Sequence, residues 1–134
     1  IAAAICLEQM KKLPANLEFR RHVQKRYNEE LHSIFERPPH SETVQYYCPR
    51  ITPKNGLTRD DLIDYLADKK VHTSVHFKPL HKYTPLEQNR EYPVADTEWL
   101  KLVSLPVHNR MVEEDIDYVI YWCNKWAEEV YENN

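Results

Sequence analysis

Glycine is nearly absent from this chain: Gly56 is the single one in 134 residues. Loops that cradle a phosphate bring backbone N–H groups close to the anion and need glycines to do so. Neither GxGxxG nor GxxxxGK[ST] occurs, so a complete nucleotide or phosphate-cofactor site is not expected from this chain alone. Cysteine is scarce as well. Cys6, Cys48 and Cys123 are odd in number, far apart and without a CxxC pair, which argues against a disulfide framework and for small buried apolar side chains in a reducing compartment. No Asn-x-Ser/Thr acceptor is present, in keeping with the cytoplasm. No apolar run approaches 18 residues, so no membrane-spanning helix is expected. Positive charge is not in excess either: 18 Lys and Arg against 21 Asp and Glu give a net charge of −3. The basic residues are dispersed and no aromatic platform accompanies them, so nucleic acid is not an expected partner.

What is present is an ordinary globular composition, 42% hydrophobic and 29% charged, in a chain long enough for one domain that buries about two-thirds of its unfolded surface. Apolar residues over 1–13 predict a first helix, ended by Pro14 because proline disfavours helix before it. The absence of an initial Met and the apolar start at Ile1 read as a helix already in progress, with the N-terminus as a cut. A second helix is predicted over 16–35, with Asn16 as N-cap and Phe19, Val23, Tyr27, Leu31 and Ile34 at helical spacing. Residues 44–51 are β-branched and aromatic and read as a strand, followed by a Lys54-Asn55-Gly56 turn. A third helix begins with Thr58 as N-cap, Asp61 at N3, and Leu57 and Leu62 as a hydrophobic staple, and should stop at Lys69 or Lys70. Residues 71–77 alternate, with Val71, Thr73, Val75 and Phe77 on one face and His72, Ser74 and His76 on the other. A loop from 79 to 92, a short helix over 94–101 and a short strand over 102–107 precede a last helix over 113–132. That helix has Ile116, Val119, Ile120, Cys123, Trp126, Ala127 and Val130 as its buried stripe. The pattern predicts an α+β domain of about three mostly antiparallel strands packed with helices, from which the N-terminal helix extends.

Candidate chemistry centres on His72, His76 and His81. On a strand, His72 and His76 stand roughly 13 Å apart, and no nearby Cys or acid offers a third ligand, so a metal site is not expected. His76 and His81 bracket the rigid Phe77-Lys78-Pro79-Leu80 turn and could donate to sugar hydroxyls or balance phosphate charge; read without context they are also ordinary surface histidines. Cys48 and Ser104 have no identifiable base, so nucleophilic catalysis is poorly supported. Asp60 and Asp61 read as cap chemistry, and Glu113, Glu114 and Asp115 as acids favoured by a helix dipole.

Three blocks then stand in order: Val71-His72-Thr73-Ser74-Val75-His76-Phe77-Lys78-Pro79-Leu80-His81, Pro93-Val94-Ala95, and Ser104-Leu105-Pro106. With an alanine-rich start (Ala2-Ala3-Ala4) and an Arg20 or Arg21…Tyr27 helix, they resemble the C-terminal domain of the DegT/DnrJ family of sugar-nucleotide aminotransferases. The resemblance implies a fold type I enzyme that uses pyridoxal phosphate (PLP), normally a homodimer, moving an amino group from glutamate to a nucleotide-linked keto-sugar in surface polysaccharide or amino-sugar biosynthesis. It implies that residues 1–134 form the small domain, that residues 1–13 pack on an upstream large domain, and that His76, Phe77 and His81 lie at the substrate mouth. The cofactor lysine and phosphate-binding residues would lie upstream; no residue here is expected to bind PLP, and the chain alone is expected to be inactive. Three positions depart from the family pattern: Lys70 stands where the family usually has Gly, His72 where a small residue is common, and no Thr caps the last helix. The competing expectation is a non-catalytic interaction module docking through its N-terminal helix.

Overall fold

A computed structural model describes residues 1–41, 44–52, 56–84 and 90–132. Four α-helices, α1 (Ala2–Glu30), α2 (Arg59–Asp68), α3 (Pro93–Trp99) and α4 (Glu113–Glu132), accompany a two-stranded antiparallel sheet of β1 (Phe35–Glu36) and β2 (Arg50–Ile51) and a 3-10 turn at Leu80–Lys82. The architecture is α+β, as expected.

The sheet is wider than its named strands. Phe35 pairs with Ile51 and Glu36 with Arg50, and single antiparallel bridges join Tyr47 to Leu105, Arg50 to Leu102 and Ser74 to Ser104. Residues 102–105 therefore run between residues 47–50 and Ser74, and every pairing among the described residues is antiparallel. Pro49 and Pro106 lack an N–H to donate, which shortens the ladders to bridges where longer strands over 44–51, 71–77 and 102–107 were expected. The alternation of 71–77 also fails at its end. Val71 is buried, but Phe77 is 70% exposed and His76 is half-buried. The peptide bond between these two residues is cis.

The core sits where α1, α2 and α4 meet the inner sheet face. Val23, Tyr27, Leu62, Leu66, Val103, Leu105 and the whole predicted stripe of α4 are buried together. Two expectations about α1 are overturned. Pro14 does not end a first helix, and Asn16 caps no second one; the helix runs through both. All of residues 1–15 are exposed, so water can satisfy the Met10 carbonyl that the missing Pro14 N–H leaves free. At the other end the helix stops at Glu30, with Leu31 extended, and Phe35 joins β1 because its ring is buried against Trp126, 6.4 Å between centroids. The N-terminal half of α1 projects from the body as expected.

α2 follows its local grammar closely. The Thr58 side chain accepts from the backbone and the Asp61 carboxylate accepts from the Thr58 N–H at 2.6 Å. Leu62 is buried and Leu57 packs partly against the core. Its end is a Schellman motif: the Val71 N–H donates to the Leu66 carbonyl and the Lys70 N–H to Ala67, both at 2.9 Å. Lys70 takes φ 63° there, the left-handed turn a glycine would take. The Glu113-Glu114-Asp115 turn of α4 is also partly capped, since Asp115 Oδ2 accepts from the Val112 N–H at 3.0 Å. Lys54 and Asn55 of the expected turn, and residues 85–89 of the loop, lie outside the described residues.

Candidate functional site

The bridges fix which side chains share the outer sheet face. Tyr47 opposite Leu105 and Arg50 opposite Leu102 place Cys48 opposite Ser104 in the same register. On the other side Ser104 pairs with Ser74, exchanging backbone hydrogen bonds at 2.7 and 3.2 Å. Side chains alternate along extended backbone, so Tyr46 and Cys48, Ser104, and Ser74 and His76 converge on one face, while Tyr47, Val103 and Leu105 point into the core. Burial pushes the Tyr47 hydroxyl up to about 12, so it stays a neutral donor to Asn28 Oδ1 at 2.9 Å.

On that face His76 is held from three directions. Its Nδ1 lies 2.7 Å from Ser104 Oγ and 3.4 Å from Ser74 Oγ. Its ring stacks on Tyr46, 4.1 Å between centroids at 28°, and Phe77 meets it edge-on at 4.8 Å. Ser104 is 5% exposed and its hydroxyl also lies 3.0 Å from Cys48 Sγ. The Nε2 of His76 has no hydrogen-bond partner among the described residues. Ser104 and Cys48 thus do have a histidine at hand, contrary to the sequence reading, which had no way to see the register that joins positions 28 residues apart.

His81 belongs to a second cluster. Its Nε2 lies 2.9 Å from Asp96 Oδ1 on α3, and its ring lies against Tyr92 at 4.7 Å. The Lys82 ammonium reaches the same Asp96 oxygen at 2.8 Å. Hydrogen bonds from Lys82 first, and from His81, hold the Asp96 carboxyl below the usual carboxylate range. Asp96, which bonds His81 and not His72 or His76, is a residue the sequence reading missed. The proximity was hidden by a separation of 15 positions along the chain, although Pro93 at the start of α3 is a readable helix signal.

His72 joins neither cluster. It is exposed and borders a cavity of about 440 Å³ with Lys70, His108, Met111, Asp115 and Tyr118. The Tyr118 hydroxyl donates across the rim of α2 to the Lys69 carbonyl at 3.1 Å. Cys6 is exposed, against the expectation of burial, whereas Cys48 is half-buried and Cys123 buried. No described helix is long and apolar enough to cross a membrane.

Solved structures of similar shape come from several bacteria. The aminotransferase TlmJ from Streptoalloteichus hindustanus superimposes with a TM-score of 0.86 at 24% identity, covering 96% of this chain and 36% of its own. Spr1654 from Streptococcus pneumoniae in its PLP form gives 0.81 at 26% identity, covering 92% and 34%. An aminotransferase of the DegT DnrJ EryC1 StrS type from Brucella abortus gives 0.79 at 25%, again covering 92% and 34%. The chain therefore spans about a third of the length of the proteins it matches. The sequence profile of the DegT/DnrJ/EryC1/StrS aminotransferases matches residues 1–123, and the chain belongs to that family.

Proposed function

We propose that this chain is the small domain of a PLP-dependent aminotransferase that transfers an amino group from glutamate to a nucleotide-linked keto-sugar in the cytoplasm. The observation that carries the reading is the family match over residues 1–123. The PLP form of the candidate sugar aminotransferase Spr1654 supports the cofactor. The residues described here do not fit a PLP site of their own. None of the described lysines is buried, so none supplies the desolvated amine that a cofactor lysine requires. Gly56 sits exposed in its turn with nothing within 4 Å of where a Cβ would stand. Cofactor, lysine and phosphate cradle are therefore assigned to an upstream large domain, and to the partner subunit of a homodimer where the site is shared.

Within that enzyme, His76, Phe77 and His81 are the substrate-binding residues of this chain. The open Nε2 of His76 suits a phosphate or sugar oxygen. Asp96 holds His81 Nε2 and leaves its Nδ1 to meet a hydroxyl. Phe77, largely exposed, supplies an apolar wall. The exposed Ile5, Leu7, Met10 and Leu13 of α1 suit packing against the large domain, which absorbs the docking role that a non-catalytic module would have.

The test is kinetic. In the whole enzyme, with glutamate and UDP- or TDP-linked keto-sugars, His76→Ala and His81→Ala should each raise KM about tenfold, the loss of one hydrogen bond to a charged or polar ligand group. The PLP absorption spectrum should stay unchanged. KM values unaltered in both variants would remove these residues from the substrate site.

A further inference from the structure

We infer that Ser104 is a positioning residue for His76, fixing the neutral ring with its hydrogen on Nε2 so that a donor faces the substrate; this deepens the substrate-binding reading of His76 and rests on it. The argument is one of donors and acceptors. Ser104 Oγ has two side-chain neighbours, His76 Nδ1 at 2.7 Å and Cys48 Sγ at 3.0 Å. A hydroxyl has one hydrogen to give, and an imidazole nitrogen is a much better acceptor than a thiol sulfur. The Ser104 O–H therefore points at Nδ1, and the Cys48 S–H supplies the hydrogen bond that Ser104 Oγ accepts. With Nδ1 occupied as an acceptor, the ring hydrogen lies on Nε2, the nitrogen left without a partner among the described residues. Burial gives the arrangement its rigidity. Ser104 is 5% exposed and its backbone is locked to Ser74 on both sides of the bridge, so water does not compete for its hydroxyl. Tyr46 stacked on the ring at 4.1 Å restricts its rotation. An Nε2–H donor meets an oxygen lone pair, so His76 faces a phosphate, carbonyl or hydroxyl oxygen of the substrate and cannot itself accept a hydroxyl hydrogen there.

The test reads the ring directly. In the 15N-histidine-labelled chain, with the ring neutral, His76 should show one tautomer with Nδ1 bare and hydrogen-bonded. Ser104→Ala should give a mixture of both tautomers, and Ser104→Cys, which keeps the side-chain size but weakens the donor, an intermediate spectrum that decides the matter if the alanine variant does not fold. A mixture in the unsubstituted chain, a hydrogen on Nδ1, or a spectrum indifferent to both substitutions would overturn the proposal. In the whole enzyme, with UDP- and TDP-glucose as probes, Ser104→Ala should weaken binding about fivefold, as for one neutral hydrogen bond, and should add nothing in a His76→Ala background. An additive loss would mean that Ser104 acts on structure alone. Should neither nucleotide sugar bind, or His76→Ala leave binding unchanged, the substrate reading falls while the tautomer spectrum still judges Ser104.

Discussion

The Tyr27 hydroxyl donates to the Pro106 carbonyl across 2.8 Å and ties α1 to the segment that carries Ser104. The Tyr27 ring is fully buried and lies 5.0 Å from that of Tyr47. Burial holds its hydroxyl well above the ordinary tyrosine range, so it acts only as a neutral donor. Tyr27→Phe keeps the ring and strands the carbonyl. It should cost about 1–2 kcal/mol of stability, seen as a lower urea midpoint with an unchanged slope.

Lys70 stores backbone strain for a turn that its neighbours demand. The Val71 and Lys70 N–H groups close the end of α2 only if residue 70 turns left-handed, and its φ is 63°. Its side chain is exposed, so nothing visible in its surroundings offsets the cost. Lys70→Gly should raise stability by about 1 kcal/mol, the left-handed penalty less the added freedom of the unfolded chain. Lys70→Ala, which keeps the Cβ, should give no such gain in the same urea experiment.

These two positions also show what could be read from sequence. α2 and α4 were legible to their ends because their signals are local: a cap three residues from its partner, and a stripe repeating along one face. Pro14 misled because its rule concerns a lost hydrogen bond, and on a helix exposed all round, water makes good that loss. Phe35 misled because it continued a helical spacing, while burial against Trp126 took it into β1. Phe77 was placed on the buried face by an alternation that ends at His76. The three proposed site residues were named from the order of their blocks. Their partners Tyr46 and Ser104 were not, because a register joining residues 46–48, 74–76 and 104 leaves no periodic trace in any of the three segments, and Asp96 was not, because it lies 15 positions from His81.

The cap of α2 should make stability depend on pH. Hydrogen bonds from the Thr58 side chain and backbone hold the Asp61 carboxyl below its ordinary value. A carboxyl lowered in the folded state contributes stability that is present above its unfolded value of about 4 and is lost as pH falls through the folded value. Asp61→Asn should therefore cost about 1 kcal/mol at neutral pH, and the difference from the unsubstituted chain should shrink as the pH falls below the ordinary carboxylate value of about 4 and through the lowered folded value. Urea titrations of both proteins across that range check it. A difference that persists undiminished at low pH would mean that the carboxylate charge plays no part in the cap.

The three thiols should react in the order of their exposure. Cys6 is open on α1, Cys48 is half-buried beside Ser104, and Cys123 is buried in the core. Burial also pushes the Cys123 thiol well up, so the reactive thiolate is suppressed twice. With a disulfide reagent in native buffer, one thiol should react rapidly and Cys6→Ser should abolish that phase. Cys123 should react only at the rate of unfolding, and rapid labelling of Cys123 would contradict its place in the core.

The N-terminal half of α1 carries a face without a partner among the described residues. Ile5, Leu7, Met10 and Leu13 are all about half exposed or more, and Ile5, Cys6, Gln9, Met10 and Leu13 line a shallow groove along the helix. Apolar surface gathered on one element favours association, since each buried Å² removes roughly 25 cal/mol of unfavourable contact with water. The isolated chain should therefore form dimers or larger species as its concentration rises in sedimentation velocity. Ile5→Glu combined with Met10→Glu should shift it toward monomer without lowering the urea midpoint, because neither residue belongs to the core. A chain that stays monomeric at every concentration would show that this face is too small to associate by itself. Loss of stability in the double variant would show that α1 contributes to the body along its whole length.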